Sequence, residues 1–321
     1  MLSEPIHDSR AWRCGPDAEL DAKIRLSTEL IDAFETCVGD RQTAPTDCEL
    51  NPSVLKQWRE ARQIVSDMIE SGVGYVILDG LPLERYSIRQ AQAVYWLVGR
   101  CLGEPFEQNI QGTLLYDVRD MGHNVAEGAR FSVTNAESSF HTDNAFGPRI
   151  PDIVGLLCLK TAHSGGRSQL VSAYTLHSEL LRRHPHVLAT LYESFCFDRR
   201  GQVERGEDEY SRHPVFHWDG VGLTTRYLDY YIRVGHDKAR QPLTTAQHEA
   251  LDVVIRLLAV PDFRVEFDLQ PGQMLFTNNH WILHNRTAFR DVADPSRRRH
   301  YVRLWLNRTR QTVVAGRPGA S

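Results

Sequence analysis

Val265-Glu266-Phe267-Asp268-Leu269-Gln270-Pro271-Gly272-Gln273-Met274-Leu275-Phe276-Thr277-Asn278 reads as two strands joined by a turn. Val265, Phe267 and Leu269 alternate with Glu266, Asp268 and Gln270, the two-residue period of a strand buried on one face. Pro271-Gly272 is turn chemistry, and Met274–Asn278 begins the next strand. The same texture runs outward from here. Ile153–Lys160 reads as a buried strand, Leu223–Ile232 as another, and Tyr301–Leu306 as a late one. From about residue 112, short apolar runs alternate with polar and glycine turns. One helix interrupts, from the N-cap Thr244, with Gln247 three residues on, to about Ala259. The polar, charged stretch Asp198–His213 has the composition of a mobile loop or lid.

The N-terminal part is helical in pattern. Residues 1–50 are polar and mixed, with one candidate helix from Asp17 to Phe34. Asn51-Pro52-Ser53 opens a stronger one. Its apolar positions, Val54, Leu55, Trp58, Ala61, Ile64, Val65, Met68 and Ile69, follow the helical period, and Gly72 ends it. A buried stripe through Trp58, Ile64 and Met68 is predicted. A short strand, Tyr75–Leu78, closes at Asp79-Gly80. Ser87 and Gln90 form a capping box for a second helix, with Ile88, Ala91, Val94, Tyr95 and Val98 on one face and Gly103 at its end.

Helices followed by many short strands are not the regular alternation of a parallel sheet. The expected fold is mixed and β-dominated: a double-stranded β-helix, or jelly roll, closed as an antiparallel barrel with flanking α-helices. The expected organisation is one domain over residues 1–321. Residues 1–50 are a peripheral N-terminal segment, 51–110 helical dressing, and about 112–306 the core.

The chain has 321 residues, 41% apolar and 24% charged, which excludes disorder, collagen and a coiled-coil rod. A net charge of −4 provides no basic field for nucleic acid or an anionic membrane. The six cysteines, Cys14, Cys37, Cys48, Cys101, Cys158 and Cys196, form no C-x-x-C pair. With no leader-like N-terminus and no apolar run of membrane-spanning length, the expectation is a cytoplasmic protein with free thiols.

Four elements carry candidate chemistry. In Phe140-His141-Thr142-Asp143, a strand would put His141 and Asp143 on one face, supplying two groups of a 2-His-1-carboxylate metal site. In the second, Asn278–Phe289, His284 at a strand end is a candidate third ligand, with His280 as its competitor. The third is Arg297–Leu306, where Arg299 and Arg303 share a face and a buried guanidinium needs an anion. The fourth is Ser164-Gly165-Gly166-Arg167-Ser168, a turn followed by a hydroxyl that can support an anion.

In that order these elements resemble the Fe(II)/2-oxoglutarate-dependent dioxygenases of the taurine dioxygenase and clavaminate synthase-like group. The likeness runs from about Val73 to Leu306, and His284-Asn285-Arg286-Thr287-Ala288-Phe289 is similar to the distal-histidine segment of the clavaminate synthase branch. The resemblance implies that His141, Asp143 and His284 hold iron(II). It implies that Arg299, with Arg298 as the alternative register, pairs with the far carboxylate of 2-oxoglutarate, assisted by Ser168. It also implies that Arg303 holds an acidic group of the substrate. Asn135, Glu137, Asn144 and Phe146 flank the H-x-D element and are candidates to line the pocket. The implied reaction is oxidation, foremost hydroxylation, of an unactivated C–H bond in a small carboxylate-bearing molecule such as an amino acid or its derivative. O2 is consumed and succinate and CO2 are released. Desaturation, epoxidation and cyclisation need the same ligands, and a metal-binding sensor without turnover is the alternative outside enzymes. The expected partner is a small-molecule substrate, not nucleic acid or membrane, with a homo-oligomer left open.

Overall fold

The computed structural model describes residues 1–14, 22–38, 40, 42–123 and 130–308. Its centre is a sandwich of two sheets. The large sheet runs in the order Lys23–Arg25, Tyr75–Asp79, Met274–Asn278, Ile153–Lys160, His300–Asn307 and Glu104–Phe106, and Leu115–Val118 also pairs with His300–Asn307. The small sheet places Ser168–Ser172 between Arg264–Phe267 and Ile282–Arg286. Among the described residues only Lys23–Arg25 pairs in parallel, with Tyr75–Asp79; the other pairings are antiparallel. Among the described residues hydrogen bonding does not join the two sheets into a closed barrel, so the jelly roll is an open sandwich.

The large sheet is covered on both faces, which explains why its strands read as continuous apolar runs. Along Met274–Asn278 the sides alternate. Leu275 belongs to the core between the sheets, while Met274 and Phe276 belong to the core beneath the helices. Along His300–Asn307, Tyr301 points between the sheets, and Val302, Leu304 and Leu306 point to the helices. The helix-side core gathers Phe34, Trp58, Val65, Ile69, Tyr95 and Leu97. On the inner side, helices Ala173–Arg183, Pro185–Leu191 and Thr245–Leu258 add to the core.

Several sequence expectations hold as drawn. The capping boxes at Ser87 with Gln90 and at Thr244 with Gln247 are both formed. Ile153–Lys160 and Met274–Asn278 are strands over those bounds. Others need correction. The candidate helix Asp17–Phe34 is only Thr28–Glu35; Lys23–Arg25 is a strand, and residues 17–21 lie outside the described residues. The helix opened at Asn51 is two, Pro52–Gln57 and Arg59–Glu70, breaking at Trp58. That break turns the stripe. Val54, Trp58, Val65 and Ile69 are buried, Met68 is half-buried, and Ile64 is 50% exposed. The helix Ile88–Leu102 is buried nearly all round, but Ile88 at its start is exposed. Leu223–Ile232 is a strand only to Thr225, after which Asp229–Lys238 is helical. Residues 51–110 carry two strands of the large sheet besides their helices.

Asp198–His213 is not a free loop. It joins strands Ser194–Asp198 and Tyr210–Pro214, paired as a hairpin. Buried Asp198 ion-pairs with Lys238 at 2.9 Å and Arg200 at 3.1 Å. Every described cysteine is a free thiol. No helix among the described residues is long and apolar enough to cross a membrane.

Candidate active site

The candidate site lies where His141 bridges to His284 of the small sheet. His284 sits within the strand Ile282–Arg286. His141 is not in a strand. It forms an isolated antiparallel bridge in which each histidine's amide donates to the other's carbonyl, at 3.0 and 2.9 Å. The chain turns immediately afterwards, so Asp143 arrives from a turn and not from a strand face. Asn279 fixes that turn. Its Oδ1 accepts from the Asp143 amide at 2.8 Å, and its Nδ2 donates to the carbonyls of Asp143 and Pro151.

Three donor atoms converge. The Nε2 atoms of His141 and His284 lie 3.5 and 3.7 Å from Asp143 Oδ1, and ligand atoms of all three lie within 4.8 Å of one another. Two metal–ligand bonds of about 2.1 Å at a right angle separate their ligand atoms by about 3 Å, so small rotations bring this set onto one ion. His141 Nδ1 lies 2.8 Å from the Ser139 carbonyl, which favours the tautomer with Nε2 free to ligate. Burial and the neighbouring His141 lower the His284 pKa, keeping it a neutral donor. Burial alone would raise the Asp143 pKa. The Arg303 charge and hydrogen bonds with the two histidines outweigh it and hold the carboxyl well below the usual range. Two imidazoles and one carboxylate fit iron(II), with further coordination positions open. His280 is elsewhere. Its Nε2 lies 2.6 Å from Asp152 and its carbonyl accepts from the Thr225 amide.

Arg303 and Trp305 both hold Asp143. Arg303 Nη1 is 3.2 Å from Oδ2, and Trp305 Nε1 donates to the same oxygen at 2.7 Å. Arg303 Nε also donates to Gln108 Oε1 at 2.7 Å. The guanidinium assigned by resemblance to the substrate is thus engaged with a candidate metal ligand.

A cleft of about 720 Å³ opens between the sheets on one side of this centre, lined by Ser168, His141, His284, Arg286 and Arg299 among others. Arg299 is 3% exposed, and its Nη1 is buried without a partner. The guanidinium carbon lies 3.7 Å over the Tyr301 ring and 5.2 Å over that of Phe289. Burial lowers its pKa, the signature of a cation that needs an anion. Arg298 faces elsewhere, donating to the Val292 and Ala293 carbonyls. Gly165-Gly166 does more than turn. Both have positive φ, and a Cβ on Gly166 would lie 3.4 Å from Arg299 Nε. Arg286 was not singled out from the sequence. It lines the same cleft, stacks 4.7 Å over Phe289, and is pushed down to about 9 by burial and by Arg299.

A second cleft of about 510 Å³ adjoins the first, lined by Arg130, Ser132, Asp143, Asn144, Phe146, Tyr231 and others. The clefts share Phe131, Ser132, His141 and Arg303. The Phe146 carbonyl accepts from Ser211 Oγ at 2.7 Å, tying the hairpin to this wall. Asn135 lines neither cleft. It is exposed, and its carbonyl accepts from the Phe289 amide. Glu137 is exposed too and accepts from Asn285 Nδ2 at 2.7 Å.

Comparison with known proteins follows the same lines. FR-33289 synthase of Streptomyces rubellomurinus is 29% identical over 310 residues, covering 94% of this chain and 87% of that protein. Asparagine oxygenase, solved with Fe(II), (2S,3S)-3-hydroxyasparagine and succinate, superposes with a TM-score of 0.68 at 20% identity, over 89% of this chain and 93% of that one. The non-heme iron oxygenase OrfP, solved with Fe and alpha-ketoglutaric acid, gives a TM-score of 0.65 at 16% identity, again over 89% and 93%. The model of the taurine catabolism dioxygenase TauD, TfdA family matches residues 47–305. The chain therefore belongs to this family and is an iron(II)- and 2-oxoglutarate-dependent dioxygenase.

Proposed function

We propose that the chain, acting as one catalytic domain, hydroxylates an unactivated C–H bond of a small carboxylate-bearing substrate, an amino acid or its derivative. Convergence of His141, Asp143 and His284 beside a cleft lined by buried Arg299, whose Nη1 has no hydrogen-bond partner, carries the reading. In it the two histidines and Asp143 hold iron(II). When bound there, iron(II) with 2-oxoglutarate and O2 supplies the oxidation, releasing succinate and CO2. Arg299, with Arg286 beside it, receives the far carboxylate of 2-oxoglutarate as a forked donor, and Ser168 adds a hydrogen bond. Arg303 and Trp305 keep Asp143 ionised and aimed. Phe146 and Tyr231, ring centroids 6.2 Å apart, wall the second cleft against water. The asparagine oxygenase relative, by its bound hydroxyasparagine, supports an amino-acid-like substrate. The free thiols of the described cysteines support a reducing, cytoplasmic setting, and the net charge of −4 supports work on small molecules and not on nucleic acid.

The test is anaerobic addition of Fe(II) and 2-oxoglutarate, read as a charge-transfer absorption in the visible. It is expected in the wild type and lost in His141→Ala, Asp143→Ala and His284→Ala with the fold retained. A band that survives all three variants, or that depends on His280, overturns the ligand set.

A further inference from the structure

The second cleft contains polar groups that the chemistry above leaves unused. Arg130 precedes a short turn of 3₁₀ helix, Phe131–Val133, and Ser132 lies within it. Both residues line the cleft. Arg130 Nη1 donates to the Gln108 carbonyl at 3.2 Å, while its Nη2 is buried with no hydrogen-bond partner. Ser132 Oγ is likewise buried and unpartnered. A buried donor left without an acceptor is costly, and more so when charged, so two on one wall indicate a missing acceptor.

The charges around them name its sign. Asp143 is the carboxylate that lines this cleft, against two guanidiniums, Arg130 and Arg303. Arg303 is committed to Asp143. Gln108 fixes both arginines, Arg130 through its carbonyl and Arg303 through Oε1. Arg130 is therefore a preorganised cation that shares the field of Asp143 with Arg303 and makes no ion pair of its own among the described residues. Burial, then repulsion from Arg303, lowers its pKa, a penalty that an incoming anion would reverse. Of the other lining residues, Phe131, Phe146, Leu228 and Tyr231 offer apolar or aromatic surface, and Thr142 and Asn144 are polar.

We propose that Arg130 Nη2 and Ser132 Oγ form the receptor for an oxyanion of the primary substrate, a carboxylate or a phosphate-type group. The substrate's apolar part then packs on Phe146 and Tyr231 beside Asp143. This rests on the reading of the site as an iron and 2-oxoglutarate centre. It moves substrate recognition from Arg303, which is engaged with Asp143, to Arg130.

The test uses the anaerobic Fe(II)·2-oxoglutarate complex and reads the displacement of its charge-transfer band. The probes are free and N-acetylated L-amino acids, their neutral primary amides, and alkyl phosphate esters. A carboxylate or phosphate ester is expected to shift the band while its neutral counterpart does not, and the arm that responds identifies the oxyanion. Arg130→Ala is expected to raise that probe's apparent Kd by about 10- to 100-fold with 2-oxoglutarate binding unchanged, and Ser132→Ala to raise it by about threefold. Arg130→Lys should lie between. Ser132→Ala and Arg130→Lys keep the result readable if Arg130→Ala fails to fold, as circular dichroism will show. The assignment is overturned if no anion binds, if neutral amides bind as well as acids, or if the folded variants bind like wild type. A wild-type complex without a charge-transfer band would instead refute the centre itself.

Discussion

Arg299 and Arg303 sit four residues apart and meet different fates. Arg299 lacks an anion; Arg303 already has one. Arg299→Ala should leave the distal carboxylate of 2-oxoglutarate buried and unpaired. A loss of about 3–5 kcal/mol corresponds to roughly 10²–10⁴-fold weaker 2-oxoglutarate binding by anaerobic titration. Arg298→Ala should bind it normally, because that side chain caps nearby carbonyls. Arg303→Ala should act on the metal, weakening Fe(II) by about 10- to 100-fold by metal titration, with Trp305→Phe in the same direction. If Arg303→Ala alters only a probe bound in the second cleft, Asp143 does not need it. The sequence gathered the residues that the fold brings together here: His141, Asp143, His284, Ser168 and Arg299. It missed Asn279, Arg286 and Trp305. Nothing local marks an asparagine whose partner lies 136 residues away, or a tryptophan embedded in an apolar strand. For Arg303, spacing gives the face that the residue occupies and not the group facing it, which in the fold is Asp143.

At the scale of elements, Gly166 connects a turn to the cosubstrate cleft. Its φ is +76°, and an added Cβ would crowd Phe289 at 3.3 Å and Arg299 Nε at 3.4 Å. Gly166→Ala should cost about 1–2 kcal/mol from the left-handed backbone alone. The melting temperature should fall and 2-oxoglutarate binding should weaken together. Unchanged 2-oxoglutarate binding would separate the turn from Arg299. The sequence showed Gly-Gly as a turn because a turn needs only positive φ; close approach to a residue 133 positions on leaves no local trace. The broken helix is a similar case. Trp58 keeps a helical φ of −80° with ψ of −3°, and that one flattened residue rotates the stripe away from Ile64. A periodicity count assumes a continuous helix. Past Thr225 the apolar run Tyr227-Leu228 feeds a helix that packs on the Ser194–Asp198 strand, a tertiary decision hidden from the local pattern.

Across the whole molecule, the helices and the large sheet share one core. Trp58 is fully buried, its ring 5.0 Å from that of Phe34, in a cluster that continues to Leu306. Trp58→Ala should destabilise the protein by about 3–5 kcal/mol. Urea unfolding followed by far-UV dichroism and by tryptophan fluorescence should still coincide in one transition. Two separated transitions would mean that the helical part is a unit of its own. The reciprocal bridge between His141 and His284 spans 143 residues of chain and is made of backbone amides and carbonyls alone. Its two amide protons are therefore natural clocks. In iron-free protein under argon, their deuterium uptake should be slow, and it should quicken only when the loop carrying His141 peels from the His284 strand. The rate at which the site opens becomes measurable with neither substrate nor oxygen in the tube.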